Sequence, residues 1–419
     1  MKREAPTLGV EAGSALQPLL ISVDACDSPR QDTPVRLEVA ASALPSGFME
    51  LIGKRSRGLA AREVLEGGRD GEAIRVQAEV IEAARRPSVQ FTWILAGATP
   101  ARTRRQFRIE SSVAEDSADR GPWHIALVPA GLLDVKNRDR TVFRYNKAPS
   151  SHPNYPPIQN RSAYIHPAFT PTGALITGDY SNFHPHHRGF FLAYTKTQVG
   201  NLHPDFWNIQ GGSGKVHFDR LESSVEGPVT GRFVVHHRWE AKGGGVVLRE
   251  RWDVELFDIP GQPYWLFDLT STQQATSAPM ELLPYRYGGM AYRGAEPFVK
   301  GGIDVLTSDG TGRRERDQKP ARWVDLTGPI ADGSKVFCGA MIADHPANPN
   351  HPTVARIHPL VLPFFSYVPS HDRQVTIGSE SATVFRYRVL IHDGHPDGDL
   401  DERVWRDFAH PPVAALMGS

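Results

Sequence analysis

The segment that most constrains the fold is a pair of alternating runs at residues 232–257. In the run 232–241, every second residue from Phe233 is large and apolar apart from His237, and in the run 245–257 the same holds apart from Glu250. Period-two alternation is typical of a β-strand with one buried face. The glycines after Lys242 favour a tight turn between the runs. The segment therefore predicts a long antiparallel hairpin whose buried face carries an imidazole and a carboxylate.

Runs of strand length continue this pattern along the whole chain. Those near the N-terminus cover residues 35–41, 74–82, 88–95 and 105–110, with a short helix predicted at 59–65. Those further on cover residues 190–194, 263–271, 279–285, 335–343 and 382–391, followed by a helix predicted at 401–410. Short strands separated by glycine- and proline-rich turns indicate an all-β protein. We expect a small accessory β-sandwich domain at 1–115, a polar linker, and a large antiparallel β-sandwich at 122–419.

Composition excludes several classes of function. The 47 basic residues balance the 47 acidic ones without a charged block, so we expect no nucleic acid and no membrane surface as partner. No run approaches the roughly 20 apolar residues of a spanning helix, and none near the N-terminus suits a signal peptide. Cys26 and Cys338 match no zinc or redox spacing. These features favour a cytoplasmic protein.

The densest group of reactive side chains lies just before a short apolar run. His184, His186, His187 and Arg188 fall within five positions, around a proline that favours an extended backbone. In a regular strand, His184 and His186 would lie on one face and His187 on the other. Imidazoles titrate near neutral pH and bind metals, so such a group is costly in a core and useful in a cleft. We interpret these four residues as catalytic candidates.

Glu250 is a further catalytic candidate, because a carboxylate on an apolar strand face must be paired or its pKa rises. The alternative is that Glu250 and His237 are core groups whose hydrogen bonds are satisfied. Three polar groups at turn-rich positions are predicted to bind substrate, since rigid loops on a β scaffold concentrate binding residues. They are His203, Asp205 and Trp207; Arg286, Tyr287 and Arg293; and Asp344, His345, Asn348 and His351.

Several motifs in order along the chain carry a family resemblance. They are Ile165-His-Pro, Thr170-Pro-Thr-Gly, His184-Pro-His-His-Arg-Gly, His203-Pro-Asp-Phe-Trp-Asn, Tyr287-Gly-Gly, Arg322-Trp-Val-Asp, Asp344-His-Pro and Ile391-His-Asp-Gly. With them, residues of about 122–395 resemble the bacterial PmoA-like family of unknown function, and the N-terminal region lies outside the resemblance. The inherited label of methane monooxygenase subunit does not fit a chain without a spanning segment. The resemblance implies a galactose-mutarotase-like supersandwich, encoded near sugar oxidoreductases and isomerases.

These residue types suit carbohydrate chemistry, so we expect a small-molecule sugar or glycoside as partner. Aromatic rings such as Trp207 and Tyr287 cover the apolar face of a sugar, while arginines and carboxylates bind its hydroxyls. One histidine would donate or accept a proton, with Arg188 stabilising negative charge on oxygen, and Glu250, Asp344 or a second histidine as partner base. The first expectation is lyase or hydrolase cleavage of an oxidised (3-keto) glycoside. Aldose epimerisation and a non-catalytic carbohydrate-binding protein are the alternatives.

A metal-dependent version of this chemistry also fits the sequence. His184 and His186, with His345 or His351 brought alongside, would supply three ligands to a divalent metal. The metal would then polarise the carbonyl and acidify a bound water. The spacing permits this site without requiring it.

Overall fold

A computed structural model describes residues 17–53, 58–81, 86–111, 121–181, 184–360 and 362–417. Strands β1 to β10 are Leu19–Asp24, Arg30–Ala40, Leu59–Val64, Asp70–Ile81, Ser88–Thr99, Arg104–Ser111, Trp123–Val128, Leu132–Asn137, Arg140–Asn146 and Tyr164–Ala168. Strands β11 to β20 are Asp179–Ser181, His184–Arg188, Phe190–Tyr194, Thr197–Val199, Gly214–Glu226, Thr230–Ala241, Gly245–Phe257, Tyr264–Ala275, Met280–Leu282 and Gly288–Arg293. Strands β21 to β30 are Asp304–Thr307, Gly310–Thr311, Lys319–Pro320, Trp323–Pro329, Phe337–Asp344, Val354–Ile357, Phe364–Val368, Val375–Ile377, Thr383–Asp393 and Val413–Leu416.

The first six strands and the last one form a seven-stranded sheet, here called the N-terminal sheet, in the order β2-β5-β4-β3-β6-β1-β30. Its two halves pack around one core, where the ring centroids of Trp93 and Phe107 lie 6.3 Å apart. The small β-sandwich is therefore confirmed. The helix predicted at 59–65 is wrong, because this segment pairs as strand β3 between β4 and β6. Sheet partners on both sides override a weak local preference. The linker predicted at 111–121 lies almost wholly outside the described residues.

Two nine-stranded sheets build the larger unit. The front sheet has the order β23-β26-β27-β20-β13-β10-β9-β8-β7, and the back sheet has the order β15-β16-β17-β18-β29-β25-β24-β21-β22. Their facing sides share one apolar core, in which Phe143 of the front sheet contacts Phe267 and Phe233 of the back sheet at centroid distances of 5.3 and 6.2 Å. This arrangement confirms the large antiparallel β-sandwich.

The hairpin predicted at 232–257 is confirmed. Strands β16 and β17 pair in antiparallel register, with His237 directly opposite Glu250. The strand predicted at 279–285 is shorter than expected, because only Met280–Leu282 pairs, in a small sheet with β14 and β28. The run holds its apolar residues at Met280 and Leu282, and Pro284 then interrupts the ladder.

Four short α-helices complete the fold of the described residues: α1 Phe48–Gly53, α2 Pro297–Gly301, α3 Arg313–Arg316 and α4 Gly398–Ala409. The helix predicted at 401–410 is confirmed as α4. Its N-cap is Asp397, whose carboxylate accepts hydrogen bonds from the N–H groups of Asp399 (3.1 Å) and Leu400 (3.2 Å). None of these helices is long and apolar enough to cross a bilayer.

Polar contacts join the N-terminal sheet to the larger unit. Arg36 forms an ion pair with Glu255, and Arg30 Nη1 lies 2.8 Å from Asp407 Oδ1. Gln77 Oε1 accepts a hydrogen bond from Thr230 N at 2.8 Å. The last strand also differs from the expected division at 122–419, because β30 pairs with β1. The chain therefore returns to the N-terminal sheet at its end.

Candidate functional site

The histidine-rich segment lies on the face of the front sheet that is turned away from the back sheet, here called the outer face. Phe190 contacts Phe267 of the back sheet, with ring centroids 6.2 Å apart. The next residue, Phe191, therefore points the opposite way. Its ring lies 4.8 Å from that of Trp207 and 6.2 Å from that of His187. The segment is thus outside the sandwich core and next to an aromatic surface.

Four imidazoles meet on this face and are here called the histidine cluster. The ring of His184 lies 5.7 Å from that of His186, 4.9 Å from that of His187 and 6.4 Å from that of His358. The expected separation of His187 from the other two is wrong, since its ring lies 4.6 Å from that of His186. Strand β12 pairs irregularly with β11, which breaks the regular alternation of side chains.

Aromatic rings form the base of the histidine cluster. The ring of Phe364 stacks on that of His187 at 4.4 Å, and the ring of Trp207 lies 5.7 Å from that of His187. Tyr287 continues this surface, stacked 6.5 Å from Trp207. Sequence reasoning named Trp207 and Tyr287 but missed Phe364 and His358, which stand alone on or beside strands far along the chain. Only the sheet order brings them together.

The cluster is uncharged at neutral pH. Burial, together with the charges of the neighbouring His184, Arg188 and Arg161, lowers the pKa of His186 to about 3. Burial also lowers the pKa of His358 to about 4 and that of His187 well below its ordinary value. Among the described residues, the Nδ1 atoms of His184, His186 and His187 have no hydrogen-bond partner. Neutral imidazoles of this kind can accept a proton or a hydrogen bond.

Two arginines at the cluster play different parts. Arg188 is fully buried and pairs with Asp179 (3.1 Å), covers the ring of Tyr180 (3.8 Å) and donates to the carbonyls of Pro185 and Gln159. Through these contacts Arg188 holds strands β11 and β12 together. The geometry therefore does not support its predicted catalytic role.

Arg293 is equally buried, but two of its donor atoms have no partner in the described part of the chain, against one in Arg188. Arg293 Nη2 donates to Ser181 Oγ (2.6 Å) and lies 3.1 Å from Glu296 Oε1, while its Nε and Nη1 have no partner among the described residues. Its charge lies near enough to the histidines that it contributes, after burial, to lowering the pKa of His184. Arg293 is therefore the arginine best placed to meet negative charge beside His184.

The loop before β15 positions Trp207. The carboxylate of Asp205 accepts hydrogen bonds from the N–H groups of Trp207 (2.9 Å) and Asn208 (2.8 Å), so Asp205 fixes the turn instead of facing a ligand. His203 is exposed on the same loop. Arg286 is also exposed and lies over the ring of Tyr287, 5.0 Å from its centroid.

Glu250 lies in a closed network between the two sheets. Its carboxylate accepts hydrogen bonds from His237 Nδ1 (2.9 Å), Trp239 Nε1 (3.0 Å) and Trp252 Nε1 (2.7 Å). Two further donors are Ser271 Oγ (2.5 Å) and Gln273 Nε2 (3.0 Å). Burial raises the pKa of Glu250, but these donors outweigh it and its pKa lies below the ordinary value. The catalytic role predicted for Glu250 is not supported, because the group is sealed and its acceptor sites are filled.

The group around Asp344 forms a third arrangement, beside helix α4. Asp344 accepts hydrogen bonds from Asn348 Nδ2 and His351 Nδ1, both at 2.7 Å. Asn348 also binds the backbone of Arg386 in both directions at 2.7 Å. The ring of His345 packs on Phe408 of α4, with centroids 4.9 Å apart. This group fastens a loop, and no contact joins these four residues to the histidine cluster in the described part of the chain.

The metal site suggested by the sequence would need His345 or His351 beside His184 and His186. The structure places the two pairs in different groups. In the described ranges, no three His, Cys, Asp or Glu side chains are arranged to hold a metal ion.

Comparison with known proteins shows which family the chain belongs to. A sequence profile described as a family of unknown function, DUF6807, matches residues 132–406. The chain belongs to the DUF6807 family. The DUF6807 match overlaps the segment of about 122–395 that carries the family resemblance, and strands β1 to β6 lie outside it. A search of curated proteins found no match.

Two solved structures from Enterococcus faecalis are similar to this DUF6807 chain. One is an alpha-mannosidase of strain V583, with a TM-score of 0.40, 9% identity, and coverage of 96% of this chain and 46% of that chain. The other is a protein in the glycosyl hydrolase family 38, with a TM-score of 0.37, 7% identity, and coverage of 96% and 49%. The chain thus spans about half the length of these proteins.

Proposed function

We propose that the chain is a carbohydrate-active enzyme that cleaves an oxidised (3-keto) glycoside by moving a proton next to the sugar carbonyl. The observation that carries this proposal is an uncharged histidine, His184, within the electrostatic reach of Arg293, whose guanidinium keeps free donors. Forming an enolate needs a neutral base and a cation that meets the developing oxyanion. Both groups stand on one aromatic surface outside the sandwich core.

His184 is the best base in the cluster. It is half-buried, whereas His186 and His187 are only 8% and 5% exposed, so a substrate reaches His184 first. Its pKa is lowered by burial and by the charge of Arg293, so the imidazole is a neutral acceptor of a proton.

The reaction balances with these groups alone. His184 takes the proton from C2, and the electron pair moves onto the C3 oxygen, which accepts hydrogen bonds from Arg293. When the carbonyl re-forms, the C1–C2 double bond forms and the C1–O bond breaks. The proton then passes from His184 to the departing alkoxide. The products are an unsaturated keto sugar and an alcohol, and addition of water to the double bond gives the free 3-keto sugar.

The carbohydrate assignment is supported by the family resemblance in the sequence and by the ring of Tyr287, which is half-buried and stacks on the buried ring of Trp207. Aromatic faces of this kind suit the C–H side of a sugar ring. Epimerisation at the anomeric carbon needs an acid as well as a base. The four imidazoles are deprotonated, and Asp179 is engaged by Arg188, which favours elimination over epimerisation.

Proton exchange in heavy water tests the proposal. The protein is incubated with methyl 3-keto-glucoside in D2O, with and without chelator, while NMR follows the C2 proton and free methanol. We expect loss of the C2 proton signal and release of methanol at the same rate with chelator present. Exchange of the C2 proton without methanol release would indicate epimerisation at C2 without cleavage, and binding without exchange would indicate a carbohydrate-binding protein. If the chelator stopped both the exchange of the C2 proton and the release of methanol, the histidines would be metal ligands.

A further inference from the structure

A buried arginine beside the histidine cluster forms no ion pair with a carboxylate of the described residues. Arg161 is 1% exposed, and its Nη2 donates to the carbonyl of Leu192 at 2.8 Å. Its guanidinium lies 5.1 Å from the ring centroid of Phe191. Within the described ranges, its Nε and Nη1 have no hydrogen-bond partner and no carboxylate forms an ion pair with it. A cation buried in this way is costly unless an anion joins it.

Two more cations converge on the same short segment of chain. Lys215 Nζ lies 3.5 Å from the carbonyl oxygen of Ile158, and Arg188 donates to the carbonyl of Gln159. The side-chain Oε1 of Gln159 has no partner in the described part of the chain. Arg161 follows two residues later. Residues 158–161 therefore gather three cationic side chains within four positions.

The charges here do not balance. Two carboxylates that pair with arginines of the outer face are already engaged, Asp179 with Arg188 and Glu296 with Arg293, each at 3.1 Å. Arg161 and Lys215 remain without an ion pair to the described carboxylates. Burial, together with the charge of Arg188, lowers the pKa of Arg161 to about 9.

Glu250 lies behind Arg161 and offsets part of this charge. Its two oxygens, however, already accept hydrogen bonds from His237, Trp239, Trp252, Ser271 and Gln273. Glu250 therefore cannot accept the free N–H groups of Arg161 without losing a partner. Among the described residues, Glu250 therefore offsets the charge of Arg161 without forming a hydrogen-bonded ion pair with it.

We propose that the substrate carries an acidic group, a carboxylate or a phosphate, that binds to Arg161 and Lys215 next to His186. Both anions present oxygens that a guanidinium binds through two N–H groups. The identity of the ligand as a sugar rests on the proposed function, whereas the anion site rests on the cations themselves. A bound anion would also offset the positive charges that contribute to the low pKa of His186.

Binding of small sugars tests this site directly. Calorimetry at pH 7 compares glucuronate, glucose 6-phosphate, inorganic phosphate and glucose, which lacks the acidic group. We expect at least one of the two acidic sugars to bind at least tenfold more tightly than glucose, and the stronger of them identifies carboxylate or phosphate as the group. Lys215→Gln should weaken that binding about tenfold, whereas Lys335→Gln, an exposed lysine on the loop before β25, should not change it. Equal binding of glucose and both acidic sugars would overturn the proposal.

Two further results separate this proposal from the proposed function. Arg161→Met keeps the length and volume of the buried side chain, so a folded variant that binds the acidic sugar as tightly as the parent would refute the anion site. Anion binding that depends on Lys215, without cleavage of any keto-glycoside, would keep the site and refute the elimination. Cleavage of neutral keto-glycosides as fast as acidic ones would keep the elimination and refute the site.

Discussion

The group around Glu250 and the histidine cluster both combine histidine with charged side chains, and they differ in how their polar atoms are satisfied. Between the sheets, Glu250 accepts five hydrogen bonds, and His237 Nε2 also lies 2.7 Å from the hydroxyl of Tyr145. On the outer face, the Nδ1 atoms of three histidines and two atoms of Arg293 have no partner among the described residues. The hydrogen bonds of similar residue types are therefore satisfied within the fold in one group and left unsatisfied in the other.

This difference follows from strand geometry. His237 belongs to β16 and faces the front sheet, so its neighbours are side chains from both sheets. Its ring stacks 6.1 Å from that of Tyr145, which belongs to the front sheet. His184 belongs to a short, irregular hairpin that lies over the outer face, where no second sheet covers it in the described ranges. A polar group in the core must complete its hydrogen bonds within the fold, whereas one on an outer face can reserve them for a ligand.

The largest effect should come from breaking the closed network. Glu250→Ala removes the acceptor of five buried hydrogen bonds, so we expect a loss of about 3–5 kcal/mol in the free energy of unfolding. Denaturant unfolding measures this loss. Glu380→Ala, at an exposed position, is the control and should stay within about 0.5 kcal/mol. A loss below about 1 kcal/mol for Glu250→Ala would show that the network is not structural.

Replacing Arg293 should impair turnover. Arg293→Gln takes away donors for the oxyanion, and we expect kcat to fall about 10²–10³-fold. The positive charge of Arg293 contributes to lowering the pKa of His184, so its removal should raise that pKa. The acidic limb of the pH–rate profile should then move to higher pH. An unchanged profile at a reduced rate would indicate that Arg293 acts through the fold alone.

A buried carboxyl pair, Asp401 of helix α4 and Asp325 of β24, differs from both groups because the two carboxyls share a hydrogen bond. Asp401 is 1% exposed and Asp325 is fully buried. Burial, the charge of Asp325 and the hydrogen bond between the two carboxyls raise the pKa of Asp401 to about 10. Asp401 therefore holds a proton in the folded chain that the unfolded chain releases above about pH 4. Its contribution to stability is lost as pH rises from about 4 towards 10.

Replacing the carboxyl group of Asp401 by an amide should remove the pH dependence that this group gives to the free energy of unfolding. Asn at position 401 can donate to Asp325 at any pH, so we expect Asp401→Asn to be more stable than the parent at pH 8 by about 1–3 kcal/mol. The gain should shrink towards pH 4. Unfolding curves at both pH values check this, with Asp399→Asn on the exposed side of the same turn as control. Equal gains at pH 4 and 8 would contradict the shared proton.

The smallest effect concerns the pH dependence of the histidine cluster. The pKa of His186 is lowered to about 3 in the fold, below its ordinary value of 6.5. Below pH 6.5 the unfolded chain binds a proton that the folded chain does not, so stability falls as pH drops from 6.5 towards 3. His186→Gln should reduce this fall by up to about 1.4 kcal/mol per pH unit. An identical slope in thermal unfolding between pH 6.5 and 5 would contradict the assignment.

Local pattern predicted much of the fold. The hairpin of β16 and β17 and helix α4 follow from alternation and capping within one segment, which sequence displays directly. Strand β3 was taken for a helix because its pairing with β4 and β6 depends on distant residues. Alternation also breaks at β12, so the meeting of the three neighbouring histidines was not foreseen.

The candidate site was predictable only where its residues are neighbours in sequence. His184, His186, His187 and Arg188 stand out because they are adjacent. His358 and Arg161 are isolated in sequence and reach the site through the fold of the front sheet. At Glu250 and Asp344 the sequence could not show that the carboxylates are held by hydrogen bonds, because a polar residue looks the same before its partners are known.

The most direct test of the account compares two matched variants, His184→Gln on the outer face and His237→Gln in the core. Both replace an imidazole by an amide, and each is measured for cleavage of methyl 3-keto-glucoside and for thermal unfolding. We predict that His184→Gln loses cleavage and keeps the unfolding temperature of the parent. His237→Gln should lose stability and keep cleavage per folded molecule. Cleavage that survives in His184→Gln and fails in folded His237→Gln would contradict the assignment of function to the outer face.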